Sequence, residues 1–89
     1  MQSVSSAGNG EVQVYELTVP SEWNGRKISD LVPMEHAIPV ALARNGKGIL
    51  PRAEIVLEAQ DILQVSSTPE GVKILRERVH ENGNGHRKE

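Results

Sequence analysis

The sequence predicts an α+β domain in which two helices lie on one face of a small, mostly antiparallel sheet of about four strands. Three observations lead to this prediction. Short segments alternate between apolar and polar residues, which indicates strands. An Asn-Gly pair between two such segments indicates a tight hairpin. A Thr-Pro-Glu sequence then opens an amphipathic segment near the C-terminus, which indicates a helix.

Length and cysteine content limit how such a domain can be stabilised. The chain has 89 residues and no cysteine, so disulfide bonds are excluded. Residues 1–10 are rich in Ser, Gly and Asn, and residues 81–89 are polar, so we expect both to be disordered tails. The folded domain is then residues 11–80, a size at which a single core is marginal. We therefore expect a homodimer.

Charge and aromatic content argue against two classes of partner. The formal net charge is -2, with one Trp, one Tyr and no Phe, whereas a nucleic-acid-binding domain usually has a basic face and stacking aromatic residues. No apolar run approaches the ~20 residues of a membrane-spanning helix. We expect no nucleic acid, no direct insertion into a membrane, and a cytoplasmic location.

The first strand is predicted over residues 11–19. Its apolar residues change phase midway, which indicates either a bulge or burial on both faces. A turn follows at Trp23-Asn24-Gly25, where we expect Trp23 to be a packing anchor over the next helix or at a subunit contact. That helix begins at Arg26, and Pro33 limits it to one or two turns.

The second strand is predicted over Ala37–Arg44. Regular alternation would place Ile38, Val40 and Leu42 on one face, with small residues on the other. Pro39 cannot donate a ladder hydrogen bond, so the strand should lie at an edge or have one unpaired side there.

The rest of the sheet is predicted from residues 45–67. Asn45-Gly46 supplies two positive φ values and therefore predicts a hairpin turn. The elements that follow are a return strand interrupted by Pro51, an extended segment at 55–57, a turn at 58–61 and a strand at 62–67. By propensity, residues 52–60 could instead be helical.

The closing helix has a clear start. Thr68 can cap it, Pro69 suits its first position, and Glu70 complements the positive end of the helix dipole. We expect it to end near residues 79–81, before Asn82-Gly83.

Few side chains are placed for chemistry. The histidines have no partner at metal-ligand spacing, and no arrangement of Ser, His or carboxylates indicates catalysis. One candidate remains, because Arg44 ends a strand beside the turn residues Asn45 and Lys47 and could hold an anion bidentately. The residues alone favour the alternative, an intrachain ion pair of Arg44 with Glu54, Glu58 or Asp61.

Several segments match a known family in the same order. They are the strand EVQVYELTV, the helix NGRKISDL, the strand AIPVALAR with its Asn-Gly turn, the proline after the hairpin, the segment DILQV and the closing helix. Together they resemble the TrkA-C domain, the C-terminal domain of regulator-of-K⁺-conductance (RCK) proteins, over residues 11–79. One residue departs from the family pattern, since Gln60 stands where the family has a glycine before the aspartate.

The resemblance implies a TrkA-C/RCK-C-like fold and a homodimer that regulates transport of potassium or another cation. In several family members a ligand, of which cyclic di-AMP is the best known, binds between the two subunits. Carried over by position, the candidate ligand-binding residues are Ile38, Ala43, Arg44, Asn45 and Pro51. No Gly-x-Gly-x-x-Gly sequence is present, so we expect no NAD, no metal, and no cofactor apart from such an anionic ligand.

Two functions are therefore compatible with the sequence. The first is a cytoplasmic, dimeric, ligand-sensing module that regulates a membrane cation channel, transporter or antiporter and is held at the inner face of the membrane through that partner. The second is a structural dimerisation or adaptor domain with no small-molecule ligand. We expect no enzymatic activity, because no set of residues supports a catalytic mechanism.

Overall fold

The computed structural model describes residues 1–8 and 11–84, which form a five-stranded antiparallel sheet with helices on one face. The elements are β1 (Gln2–Ala7), β2 (Val12–Thr18), a 3₁₀ turn (Ser21–Trp23), α1 (Ile28–Leu31), β3 (Ala37–Arg44), β4 (Lys47–Ile49), β5 (Ile62–Ser67) and α2 (Pro69–Asn84). The strand order is β1-β2-β5-β3-β4. The predicted α+β class is confirmed, with one strand more than expected.

That extra strand is β1, and the prediction of a disordered N-terminal tail was wrong for residues 2–7. β1 pairs antiparallel with β2, from Gln2 opposite Glu16 to Ala7 opposite Val12. Its serine-rich sequence buries little apolar surface, which is why composition indicated disorder. Backbone hydrogen bonds to the edge of β2 stabilise the strand instead.

The core lies between one face of the sheet and the helices. Its buried residues are Leu17, Val19, Trp23, Ile28, Leu31, Val32, Ala37, Leu42, Leu57, Leu63, Val65 and Leu75. Trp23 is 1% exposed, so it is a packing anchor within the chain, as predicted. The Arg26 guanidinium lies 4.6 Å from the centroid of the Trp23 ring, within the range of a cation–π contact.

β3 contains a bulge that changes which of its residues share a face. The ladder with β5 shifts between Pro39 and Ala41, so Val40 is the extra residue. Leu42 is 2% exposed in the core, whereas Ile38 is 64% exposed on the opposite face. The prediction that Ile38 and Leu42 share a face was wrong, because one extra residue reverses the alternation.

The strand pairing accounts for the change of phase in β2 and for the position of Pro39 in β3. β2 pairs with β5 in continuous register, so its change of phase reflects burial on both faces: Leu17 is buried in the core and Val14 is half-buried on the other face. The pairs of β3 with β4 run from Leu42 to Arg44 only, so among residues 1–8 and 11–84 Pro39 has a paired strand on its β5 side alone, as predicted.

The loop between β4 and β5 runs antiparallel to residues 25–28. Its backbone hydrogen bonds there are Gly25 N–H to Leu57 O (2.8 Å), Leu57 N–H to Arg26 O (2.7 Å) and Ile28 N–H to Ile55 O (2.9 Å). The extended segment predicted at 55–57 amounts to a single bridge between Lys27 and Val56. These bonds fix the loop beside the end of β3, where its acidic residues reach Arg44.

α2 begins as predicted and ends later. The Thr68 hydroxyl accepts a hydrogen bond from Gly71 N–H at 3.2 Å, which is the expected N-cap. The helix continues to Asn84, so the predicted end at 79–81 and the predicted C-terminal tail were wrong for residues 81–84. Residues 85–89 lie outside the described part of the chain.

Candidate functional site

Arg44 is the centre of a polar cluster at the end of β3. Its Nε–H donates to Asp61 Oδ1 at 2.9 Å, and its Nη2 donates to Asp61 Oδ2 at 2.7 Å and to the Val56 carbonyl at 2.9 Å. Its Nη1 lies 3.3 Å from Glu58 Oε2. The guanidinium therefore forms a bidentate pair with Asp61 and a looser pair with Glu58, the geometry that makes arginine a strong carboxylate partner.

Asp61 is the buried member of this cluster. Its side chain is 2% exposed, and its Oδ2 also accepts a hydrogen bond from the Glu58 backbone N–H at 2.9 Å. Burial opposes ionisation of this carboxyl, but the hydrogen bonds from Arg44 and Glu58, together with the charge of Arg44, outweigh burial and lower the pKa of Asp61. The same hydrogen bond raises the pKa of Arg44, so the pair is ionised at neutral pH.

Left-handed turns lie next to both members of this pair. Asn45 (φ 53°) and Gly46 (φ 79°) form the two-residue turn after Arg44, which confirms the predicted hairpin. Gln60 has φ 74°, and it turns the chain so that Asp61 enters β5 with its carboxyl toward Arg44. Gln60 thus adopts a conformation that favours glycine, the residue that the family pattern has there.

The five predicted ligand-binding residues do not form one cluster in a single chain. Ile38 and Ala43 lie on the outer face of the sheet, whereas the Arg44 side chain lies at the end of β3 on the core side, against Asp61. Ile38 is six residues before Arg44, about 20 Å along the strand. Asn45 is exposed in the turn and Pro51 is half-buried after β4. Only Arg44 belongs to the polar cluster.

The outer face of the sheet is the second feature that could bind a partner. It carries a group of exposed or half-buried apolar residues: Val12, Val14, Ile38, Val40, Ala41, Ala43 and Ile62. No helix among residues 1–8 and 11–84 covers this face. A groove of about 240 Å³ lies at its Ile38 end, between the loop before β3 and the end of β5. Polar side chains share this face, since Gln64 Nε2 donates a hydrogen bond to Glu16 Oε1 at 3.1 Å across β5 and β2. The apolar residues therefore form exposed patches on it, and such patches often mark an interaction site.

The sequence predicted Glu54, Glu58 or Asp61 as the ion-pair partner of Arg44. Of the three predicted acids, Asp61 and Glu58 form ion pairs with Arg44, whereas no pair with Glu54 is present in the described residues. The Val56 carbonyl was missed, because a backbone acceptor leaves no signal in side-chain type. The position of Asp61, directly before a strand that pairs with β3, was the signal that could have singled it out.

The described residues contain neither a metal-binding cluster nor a membrane-spanning helix. No group of three or more His, Cys, Asp or Glu side chains could hold a metal ion there. Within the same residues, every helix is too short or too polar to cross a membrane.

Comparison with known proteins identifies the family. A family model for the TrkA-C domain matches residues 12–80. The chain belongs to the TrkA-C domain family. A similar protein is the Trk system potassium uptake protein TrkA homolog of Archaeoglobus fulgidus, which is 32% identical over 75 residues. The match covers 82% of this chain and 17% of that protein.

The fold of this TrkA-C domain is also found in a solved structure. A chain described as "Structure of RCK domain with cda" has a TM-score of 0.62 and 22% sequence identity, and the match covers 74% of this chain and 96% of that chain. At this identity the likeness concerns the fold alone. β1 lies before residues 12–80, the part of the chain that matches the TrkA-C family model.

Proposed function

We propose that this TrkA-C domain is a dimeric regulatory module that senses an anionic small molecule and controls a membrane channel, transporter or antiporter for potassium or another cation. The module acts at the cytoplasmic face of the membrane and has no catalytic role. Family membership supports regulation, and the similarity to a Trk system potassium uptake protein supports potassium as the transported ion.

The observation that carries the proposal is the exposed apolar patch that β3 presents on the outer face of the sheet. A domain of this size has a small core of its own, so joining two copies through this face would add buried apolar area. The small side chains of Ala41 and Ala43 would let the two sheets approach closely. In that dimer the residues on the face, including Ile38, would line the subunit boundary.

Anion binding is the second part of the proposal. Arg44 is the cation that would hold a phosphate group, and Ile38, Ala43, Asn45 and Pro51, contributed by the two subunits, would complete the site. Cyclic di-AMP is the first ligand to test. Its effect would be conformational, because a ligand shifts a population of dimer geometries only through its different affinity for each.

Calorimetry tests the ligand. Cyclic di-AMP titrated into the wild-type chain should release or absorb heat, and Arg44→Ala should abolish the signal. Because Arg44→Ala leaves the buried Asp61 unpaired, Arg44→Lys serves as a second variant that keeps the charge and loses the bidentate fork. Fluorescence of Trp23 shows that each variant is folded. Equal heats for all three proteins would show that Arg44 does not contact the ligand.

Sedimentation tests the dimer. The wild-type chain should sediment as a dimer, and Ala41→Arg, which places a long charged side chain on the outer face, should yield a monomer. Ala53→Arg is the matched control, because Ala53 is exposed in the loop after β4 and the same change there should leave the dimer intact. A wild-type monomer, or a dimer of Ala41→Arg, would contradict the proposed interface.

A structural dimerisation or adaptor domain without a ligand is the second candidate function. It is favoured by one observation, that Arg44 is already paired with Asp61 inside the chain. This function predicts a dimer in sedimentation and no thermal shift across a panel of nucleotides and ions.

A further inference from the structure

The hydrogen bonds of Arg44 occupy the Nε and Nη2 edge of its guanidinium, whereas Nη1 has only an ion pair with an exposed side chain. Arginine has five N–H donors, and those on Nε and Nη2 are occupied by Asp61 and by the Val56 carbonyl. In the described part of the chain, Nη1 is paired with the Glu58 carboxylate, whose Oε2 lies 3.3 Å away. Nη1 is thus the edge that an incoming anion can reach.

The two carboxylates hold Arg44 with very different strength. Asp61 is buried, accepts two hydrogen bonds from Arg44 and is further held by the Glu58 backbone N–H. Removing it from Arg44 would leave a buried charge without a partner, which is costly. The Glu58 side chain is 56% exposed, so it can turn into water at little cost, as in other exposed ion pairs.

We infer that Glu58 is a built-in competitor that occupies the anion position at Nη1 of Arg44 and thereby sets the affinity of this chain for anionic ligands. The inference rests on the proposed function, because it concerns the same ligand site. An incoming phosphate group replaces Glu58 and leaves the Arg44–Asp61 pair in place. With two carboxylates facing one guanidinium, the cluster repels anions until Glu58 moves away.

The competition predicts that removing the charge of Glu58 strengthens binding. Glu58→Gln should lower the Kd for cyclic di-AMP roughly twofold to fivefold, the upper part of the range expected from loss of one exposed ion-pair competitor. The variant should fold, since the Glu58 side chain is exposed and its backbone N–H still bonds Asp61. Its effect should shrink as ionic strength rises, because salt screens the pair that is lost.

A neighbouring glutamate provides the matched control. Glu54 is exposed in the same loop, and no ion pair joins it to Arg44 in the described residues. Glu54→Gln makes the same change in net charge without touching the cluster, so it should leave the Kd within twofold of wild type. A long-range charge effect would instead move both variants equally.

Titration calorimetry with cyclic di-AMP measures the Kd of the full wild-type chain, Glu58→Gln and Glu54→Gln, and so tests the competitor. Tighter binding by Glu58→Gln alone supports both the competitor and the ligand site. Binding by the wild type with no gain in Glu58→Gln, or with an equal gain in Glu54→Gln, overturns the competitor while the proposed ligand site stands. Absence of binding by all three proteins, including Glu58→Gln, overturns both.

Discussion

At the scale of single residues, the backbone conformation of Gln60 explains how the chain keeps its turn without a glycine. Gln60 has φ 74° and Asn45 has φ 53°, so both are left-handed. Asparagine tolerates this region because its short side chain can hydrogen-bond locally, whereas a longer side chain is strained there. The sequence showed that a family glycine was missing, but only the structure shows that Gln60 itself adopts the left-handed conformation.

Replacing Gln60 by glycine should therefore stabilise the domain. We expect Gln60→Gly to raise the free energy of unfolding by about 0.5–1 kcal/mol, the left-handed strain minus the extra freedom of glycine in the unfolded chain. Asn45→Gly, at the other left-handed position, should change it by less. Urea unfolding followed by Trp23 fluorescence measures both, and a loss of stability in Gln60→Gly would contradict the argument.

The Arg44–Asp61 pair should make stability depend on acid pH. The pKa of Asp61 is lowered in the folded state, so its contribution is complete above the unfolded pKa of about 3.9 and is lost as the pH falls through the lower folded value. Asp61→Asn should lower the free energy of unfolding by on the order of 3 kcal/mol at pH 7, because it breaks a partly buried pair. The variant should also lose less stability than the wild type as the pH falls.

A surface aspartate is the control for this pH dependence. Asp30 lies 3.7 Å from Arg26 and its side chain is 47% exposed, so Asp30→Asn should change stability by no more than about 1 kcal/mol. Urea unfolding at pH 7 and at steps below pH 5 compares the three proteins. Equal acid sensitivity in wild type and Asp61→Asn would show that other carboxylates dominate.

At the scale of elements, alternation and turn chemistry predicted most of the fold. The hairpin at Asn45-Gly46, the strand Ile62–Ser67 and the capped start of α2 were all readable, because local residue types determine them. Two features were not. β1 is held by backbone bonds that composition does not report, and the β3 bulge at Val40 depends on its pairing with β5, a long-range property.

The contact between the first turn of α2 and the sheet should depend on a glycine. A Cβ added at Gly71 would lie 2.8 Å from the His36 carbonyl oxygen and would also crowd Ser67 Oγ. Alanine normally stabilises a helix relative to glycine, but here we expect Gly71→Ala to destabilise the domain by about 1–3 kcal/mol, as overpacking does.

Thermal unfolding checks the sign of this effect. Gly48→Ala is the control, since a Cβ there meets nothing within 4 Å. A gain in stability from Gly71→Ala would show that α2 can move away from the end of β5 without cost.

At the scale of the whole molecule, the domain should fold without its first strand. β1 joins the sheet only through β2, and residues 1–5 are exposed. We expect a chain that begins at residue 11 to keep a single cooperative unfolding transition, with a lower Tm, since the core residues all lie after that point. Calorimetric scanning measures this, and loss of cooperative unfolding would make β1 part of the folding unit.

The candidate site was predicted less completely than the fold, because its residues lie far apart in a single chain. Arg44 and its acidic partners were named from the sequence, but Ile38 was grouped with them by position alone. In one chain they lie on different sides of the sheet and at opposite ends of β3. A site that combines them requires a second subunit, and a single sequence contains no information on how two copies meet.

The extra residue in β3 has a consequence for how related domains can vary. Without Val40, the remaining residues of β3 would alternate regularly, with Ala37, Pro39 and Leu42 toward the core and Ile38, Ala41 and Ala43 outward. A one-codon deletion at this position is thus compatible with the same two faces and with the present pairs between β3 and β5. Length variation among relatives should therefore be concentrated at the bulge.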